Sequence, residues 1–224
     1  MRRFLYENSL SVFFGVLLLA TLVGQALVGH ANYNDEQLAH QSDTISLSRY
    51  LTSSAFGAAV MENWQSEYLQ FTLFILATVY LIQRGSPESK EPGKEGHETD
   101  EDQRVGGHAG PGSPRWARVN GIRTAIYSNS LLIVMKLIFL GSWFAHSVTS
   151  WTDYNNDQTE HDQPTVSWVR FLGKPHFWEQ TFQNWQSEFL AVGSFVVLSI
   201  YLRQRGSPES KPVGASHDAT GVQG

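Results

Sequence analysis

Cysteine is absent from this chain of 224 residues. Its absence excludes disulfide bonds, thiolate metal sites and cysteine nucleophiles together. Basic charge is also scarce, because 16 Lys and Arg residues stand against 21 Asp and Glu residues, giving a formal net charge of -5. Nucleic-acid binding needs a concentrated basic surface, so we expect no nucleic-acid partner.

Catalytic fingerprints are missing as well. The chain has no nucleophile elbow, phosphate-binding loop, zinc-protease helix or dinucleotide-binding glycine pattern. We therefore expect no enzymatic activity and no cofactor.

Long stretches with few or no charges are present instead. The windows 9–29 and 129–150 are long enough to cross a hydrocarbon core of about 30 Å. The uncharged runs at 68–82 and 189–202 are shorter, so each must include the turn before it in order to span. The four predicted membrane spans are therefore about 9–29, 63–83, 129–150 and 184–204.

The first window has an alternative interpretation as a secretory signal peptide. Arg2 and Arg3 form a basic start, and Gly29-His30-Ala31 resembles a small-residue cleavage site. However, the apolar run exceeds a usual signal core, and a second copy of this window lies in mid-chain. We expect the window to remain as a membrane span.

Two polar phrases occur twice in the sequence. NWQSE stands at 63–67 and again at 184–188, and QRGSPESK follows each copy at the same distance, with an offset of 121 residues. About a third of the paired positions between the two halves are identical. The sequence therefore predicts a repeat at 1–90, a flexible cytoplasmic linker at 91–121, a second repeat at 122–211 and a disordered tail at 212–224.

Basic residues predict the orientation of these repeats. The two loops between paired spans hold only Arg49, Arg170 and Lys174. The other Lys and Arg residues, apart from Lys136 within the third span, cluster near the N-terminus, the linker and the tail. Because basic loops stay cytoplasmic, we expect both termini in the cytoplasm and two parallel repeats in an inner membrane. The outer loops, ISLSRYLTSSAF and VSWVRFLGKPHFW, are predicted to form short amphipathic helices on the membrane surface. The expected fold is an all-α bundle of four transmembrane helices.

The NWQSE phrases supply a candidate polar site inside the membrane. Its predicted members repeat one helical face in each copy: Asn63, Ser66, Glu67, Asn184, Ser187 and Glu188. Glu67 and Glu188, facing each other, can bind a cation or share a proton. The alternative is that these polar side chains hold helices together. Trp64 and Trp185 are predicted to anchor the helices at the headgroup level.

Two further groups of residues are candidates for binding. Arg84, Lys90, Arg205 and Lys211 of the QRGSPESK phrases suit a cytoplasmic partner or lipid headgroups, although a helix-terminating loop also explains the phrase. We predict no metal site, and His40 and His161, with nearby carboxylates, are the residues from which one would be built.

The duplicated phrases, together with GHANYNDEQL and DEDQRVGGHAGPGSPRWAR, resemble a bacterial family of about this length described as a domain of unknown function. The resemblance covers essentially the whole chain and implies a multi-pass inner-membrane protein without an assigned activity. Two hypotheses follow. One is an accessory or structural bundle that engages lipid, a second copy or another membrane protein, and the other is a small cation- or proton-conducting transporter that uses Glu67 and Glu188.

Overall fold

Helices make up all the regular structure in the computed structural model, which describes residues 2–224. The elements in chain order are α1 Arg2–Glu7, α2 Ser9–Ala39, α3 Leu47–Leu51, α4 Ser54–Tyr80, a 3-10 turn at Gly106–His108, α5 Ile122–Ser128, α6 Ser130–Glu160, α7 Trp168–Phe171 and α8 Pro175–Tyr201. No strand occurs among these residues, and the all-α prediction is confirmed.

The helix bounds repeat with the offset seen in the sequence. Helices α6 and α8 begin and end 121 residues after α2 and α4, and α7 begins 121 residues after α3. The short helices α3 and α7 lie in the two segments for which short helices were predicted. The phrase-by-phrase similarity of the two halves is thus accompanied by the same order and length of the long helices.

Helices α2 and α6 are long and apolar enough to cross a membrane, by length and composition. Each has 31 residues, which corresponds to about 46 Å at the usual rise per residue. That length exceeds a hydrocarbon core of about 30 Å. Each helix continues past its apolar window into a polar C-terminal end.

Helices α4 and α8 begin earlier than the sequence pattern predicts. The Ser53 hydroxyl accepts a hydrogen bond from the Phe56 backbone N–H at 3.3 Å, which caps the start of α4. Pro175 occupies the first turn of α8, where its missing N–H costs nothing. The NWQSE phrases therefore lie well inside these helices and not in their first turns.

The chain divides into two compact units. The first unit comprises the residues up to Val60 together with Ala145–Trp168, and the second comprises Met61–Phe144 together with Val169–Gly224. The first unit contains the polar ends of α2 and α6 with the loops that follow them. The second unit contains both NWQSE phrases and both QRGSPESK phrases.

In the first unit, an asparagine closes each loop. The Asn34 side chain donates to the Ile45 carbonyl at 3.1 Å and accepts from the Ile45 N–H at 2.8 Å. Asn155 makes the equivalent pair of bonds with Val166, both at 2.9 Å. Each long helix is thereby joined to the segment that leads into α3 or α7.

In the second unit, aromatic rings pack between α6 and α8. Trp143 has ring-centroid distances of 5.7 Å to Phe139, 6.1 Å to Trp178 and 5.9 Å to Trp185. Such pairs contribute about 0.5–1.5 kcal/mol each beyond the area that they bury. The position equivalent to Trp143 in the first half is Leu22, so the two halves do not share this cluster.

Candidate functional site

A buried amide joins the two NWQSE phrases. The Trp185 indole N–H donates to Gln65 Oε1 at 2.7 Å, and Gln65 is 0% exposed. The Gln65 amide nitrogen donates in turn to the Glu62 carbonyl at 3.1 Å, so both ends of the amide are used. The two tryptophans that were predicted to be interface anchors differ in their surroundings. Trp64 is 38% exposed, whereas the Trp185 N–H donates a hydrogen bond within the protein.

A second contact joins the same helices one turn away. The Asn184 side chain donates to Glu62 Oε1 at 2.6 Å and to the Gln180 carbonyl at 3.0 Å. Glu62 was not among the predicted site residues. Its signal in the sequence is that it directly precedes NWQSE and that the equivalent position in the second half is an amide, Gln183.

The third contact involves one of the two predicted acids. The Ser66 hydroxyl donates to the Asn63 carbonyl at 2.9 Å and is 3.4 Å from Glu188 Oε1. Glu67 lies close enough to Glu188 for their charges to interact. Glu188 is half-buried, and Glu67 is exposed.

Three of the six predicted members, Asn63, Glu67 and Ser187, are exposed. The Ser187 hydroxyl donates to the Asn184 carbonyl of its own helix at 2.8 Å. The residues that meet between the helices form what we call the α4–α8 polar contact: Glu62, Gln65, Ser66, Asn184, Trp185 and Glu188.

The QRGSPESK phrases form two loops of the same design after α4 and α8. Each loop contains a serine hydroxyl that accepts from a backbone N–H at 2.9 Å, Ser89 from Gln83 and Ser210 from Gln204. Gly206 has a φ of +82° and its equivalent Gly85 a φ of +87°, a region that glycine enters without strain. The retained spelling therefore has a local structural explanation in both copies.

Lys90 and Lys211, which were candidates for lipid or partner contact, both have partners within the protein. The Lys90 ammonium donates to the Gly96 carbonyl at 2.6 Å and forms an ion pair with Glu98 at 2.7 Å. Lys211 is 1% exposed, and burial, followed by the charge of Arg203, lowers its pKa. Its ammonium donates to four backbone carbonyls, those of Gly85 at 2.5 Å, Ser216 at 3.2 Å, His217 at 2.9 Å and Ala219 at 3.2 Å.

Arg84 and Arg205, in contrast, direct their side chains to the surface. Both residues are exposed, and Arg84 pairs with Asp218 at 3.6 Å while both side chains keep most of their area accessible. The arginines are therefore the basic groups of these phrases that remain open to a ligand.

The segment 212–224, which we expected to be disordered, makes backbone contacts with both loops. The Gly221 N–H donates to the Ser86 carbonyl at 3.0 Å, and the Gly224 N–H donates to the Ser210 carbonyl at 2.7 Å. The Thr220 hydroxyl accepts from the Gly85 N–H at 2.8 Å. These bonds, with those of Lys211, join the tail to both QRGSPESK loops.

The two loops also bring equivalent carboxyl groups together. Burial raises the pKa of Glu88, and a hydrogen bond with the Glu209 carboxyl and repulsion from its charge raise it further. A neighbouring carboxylate disfavours the charged form of Glu88 because like charges repel. This acid pair was not foreseen from the sequence, although both acids stand at the same position of the repeated phrase.

His40 and His161 are also brought together, in the first unit. Their ring centroids are 5.3 Å apart, with the rings nearly perpendicular. No group of three or more His, Asp or Glu side chains within residues 2–224 has the arrangement of a metal site.

Comparison with known proteins identifies a family whose function is unknown. The family model described as a domain of unknown function, DUF6766, matches residues 1–222. No curated protein and no solved structure matches the chain.

Proposed function

We propose, on the premise that the chain belongs to the DUF6766 family, that it is a multi-pass inner-membrane protein with an accessory or structural role and no enzymatic activity. In this proposal α2, α4, α6 and α8 span the bilayer as two parallel pairs, with both termini in the cytoplasm. The apolar composition of α2 and α6 and the distribution of Lys and Arg support this arrangement.

The observation that carries the proposal is the α4–α8 polar contact. Its central residue Gln65 is fully buried, accepts from the Trp185 indole and donates to the Glu62 carbonyl, so its amide serves contacts within the protein. Polar side chains that bond across two helices are the usual means of holding membrane helices together. Both NWQSE phrases then serve assembly of the bundle, the first through Gln65 and Ser66 and the second through Asn184, Trp185 and Glu188.

The surface that remains suits partners of two kinds. Helix α2 has an apolar window that is almost entirely exposed, which fits lipid, a second copy or another membrane protein. Arg84 and Arg205 are exposed at the ends of α4 and α8, where guanidinium groups suit anionic headgroups or an acidic partner segment.

Ion conduction is the second candidate function. Glu67 and Glu188 interact electrostatically, and the Ser66 hydroxyl is within reach of Glu188. Two neighbouring acids, one of them within reach of a hydroxyl, are groups from which a pathway for a proton or a small cation is built.

Flux through liposomes separates the two functions. The purified chain is reconstituted, and proton and cation flux are measured for the wild type and for Glu67→Gln combined with Glu188→Gln. The control is Glu179→Gln, an exposed acid on the same helix as Glu188. The accessory role predicts no flux above empty liposomes for any chain, whereas flux that is lost only in the double variant would establish conduction.

A further inference from the structure

Two equivalent histidines meet where α2 and α6 end. His40 caps the C-terminus of α2, and His161 follows the last residue of α6. Their ring centroids lie 5.3 Å apart. Both residues belong to the first unit and lie beyond the apolar windows of their helices.

The protonation pattern of His161 follows from its contacts. Its Nδ1 is 2.9 Å from the Asp157 carbonyl oxygen and 3.4 Å from Asp157 Oδ1. Since a carbonyl oxygen only accepts, Nδ1 carries the proton, and Nε2 of the neutral ring presents a lone pair. Metal-binding histidines are oriented in this way, with the second ring nitrogen donating to a carbonyl or a carboxylate.

The separation of the rings matches a shared metal ion. Two imidazoles bound to one tetrahedral zinc at about 2.0–2.1 Å have ring centroids about 5 Å apart. The observed value is 5.3 Å. We propose that His40 and His161 form a binding site for a divalent transition-metal ion, with water completing the coordination shell.

The chemistry of the ligands sets the selectivity of this site. Imidazole nitrogens favour Cu²⁺, Ni²⁺ and Zn²⁺, whereas Mg²⁺ and Ca²⁺ require oxygen ligands. With two protein ligands the site is open, so the ion exchanges readily and leaves coordination positions for solvent. Coordination ties the ends of α2 and α6 to each other within the first unit.

Calorimetric titration of the untagged full-length chain in detergent tests the site. Zinc chloride is expected to bind with one ion per chain, and magnesium chloride is expected to give no binding heat. His40→Ala and His161→Ala each reduce zinc affinity at least tenfold, and the double variant loses the one-to-one binding altogether because both histidines serve one site. His108→Ala, an exposed histidine of the linker, leaves zinc binding unchanged.

Any of three results would contradict the proposed site. The wild type binds no zinc, the single variants keep the wild-type affinity, or each single variant halves the number of zinc ions bound per chain. Circular dichroism identifies any variant that has lost helix. Should the alanine variants unfold, His40→Cys with His161→Cys provides the second measurement, since thiolates at this spacing bind zinc more tightly and the chain has no other cysteine. Binding no stronger than in either single cysteine variant contradicts the proposal.

Discussion

At the scale of single residues, Gln65 and Gln186 hold the same position of the two NWQSE phrases in different surroundings. Gln65 is fully buried and accepts from Trp185, whereas Gln186 is exposed. Gln65→Ala leaves the Trp185 N–H without its partner, which we expect to lower the free energy of unfolding by about 1–3 kcal/mol. Thermal unfolding in detergent measures this change.

Gln186→Ala is the matched control, with an expected change within about 0.5 kcal/mol. A double-mutant cycle with Trp185→Phe isolates the bond, because the phenylalanine ring has no N–H. Equal losses for the two glutamine variants would show that the α4–α8 polar contact does not depend on this amide.

Lys211 and Lys90 form a second matched pair at the residue scale. The Lys211 ammonium binds four carbonyls that include three of the tail, whereas Lys90 binds the linker. Lys211→Met is expected to release the tail, because the four carbonyls lose their shared donor. Proteolysis of residues 212–224 should then accelerate in Lys211→Met and remain at the wild-type rate in Lys90→Met.

Glu88 makes stability depend on pH. Its raised pKa means that, as the pH rises past about 4.3, the unfolded chain releases this proton before the folded chain does. Folding stability therefore falls as the pH rises from the ordinary carboxyl pKa to the raised one and stays lower above it. Glu88→Gln removes this loss, so the variant should melt at a higher temperature than the wild type at pH 7 and close to it at pH 4.

An exposed acid of the linker, Glu101, is the reference for the pH experiment. Glu101→Gln should keep the wild-type pH dependence of the melting temperature. If Glu88→Gln melts below the wild type at pH 7, the carboxyl of Glu88 stabilises the loop pair and the assigned repulsion from Glu209 is wrong.

At the scale of elements, Asn34 and Asn155 each hold only their own loop, so the two loops can be weakened one at a time. Asn34→Ala removes both bonds to Ile45, and we expect a loss of about 1–3 kcal/mol. Hydrogen exchange of the Ile45 amide should accelerate in Asn34→Ala but not in Asn155→Ala, which instead exposes the Val166 amide. Asn32→Ala changes an exposed bond within α2 and should leave both amides protected.

Helices α2 and α6 could be predicted from the sequence because the length of their apolar windows is a sufficient signal. The apolar windows of α2 and α6, the second with Lys136 as its single charge, exceed the length of a membrane core, and that signal needs no tertiary information. The early starts of α4 and α8 were missed because they depend on the Ser53 cap and on Pro175. Ser53 and Pro175 lie in the segments that the sequence pattern assigns to the outer loops.

Only some residues of the α4–α8 polar contact were predicted, because the sequence does not show which face of a helix packs. A single face counted from Asn63 selects Ser66 and Glu67, but the face that meets α8 carries Glu62, Gln65 and Ser66. Helical periodicity identifies which residues share a face, and it does not identify which face packs. The contacts of Lys211 and of the tail join segments that are distant in sequence, which no local pattern reports.

At the scale of the whole molecule, the unequal distribution of Lys and Arg makes the proposed orientation testable. The chain has no cysteine, so single introduced thiols report accessibility without background. We expect Asp43→Cys and Asp162→Cys to react with a membrane-impermeant thiol reagent added to intact cells, because both positions follow the polar ends of α2 and α6. Asp100→Cys, in the linker, should react only after the membrane is opened, since basic segments remain in the cytoplasm.

The three positions together distinguish the possible topologies. Labelling of position 100 alone in intact cells would show the opposite orientation, and labelling of positions 43 and 100 without position 162 would show that α2 and α6 cross the membrane in opposite directions. Only external labelling of both 43 and 162, with protection of 100, agrees with two parallel pairs of spans. This pattern requires α4 to cross the bilayer as well as α2 and α6, because the chain must return to the cytoplasm between positions 43 and 100 and then place position 162 outside.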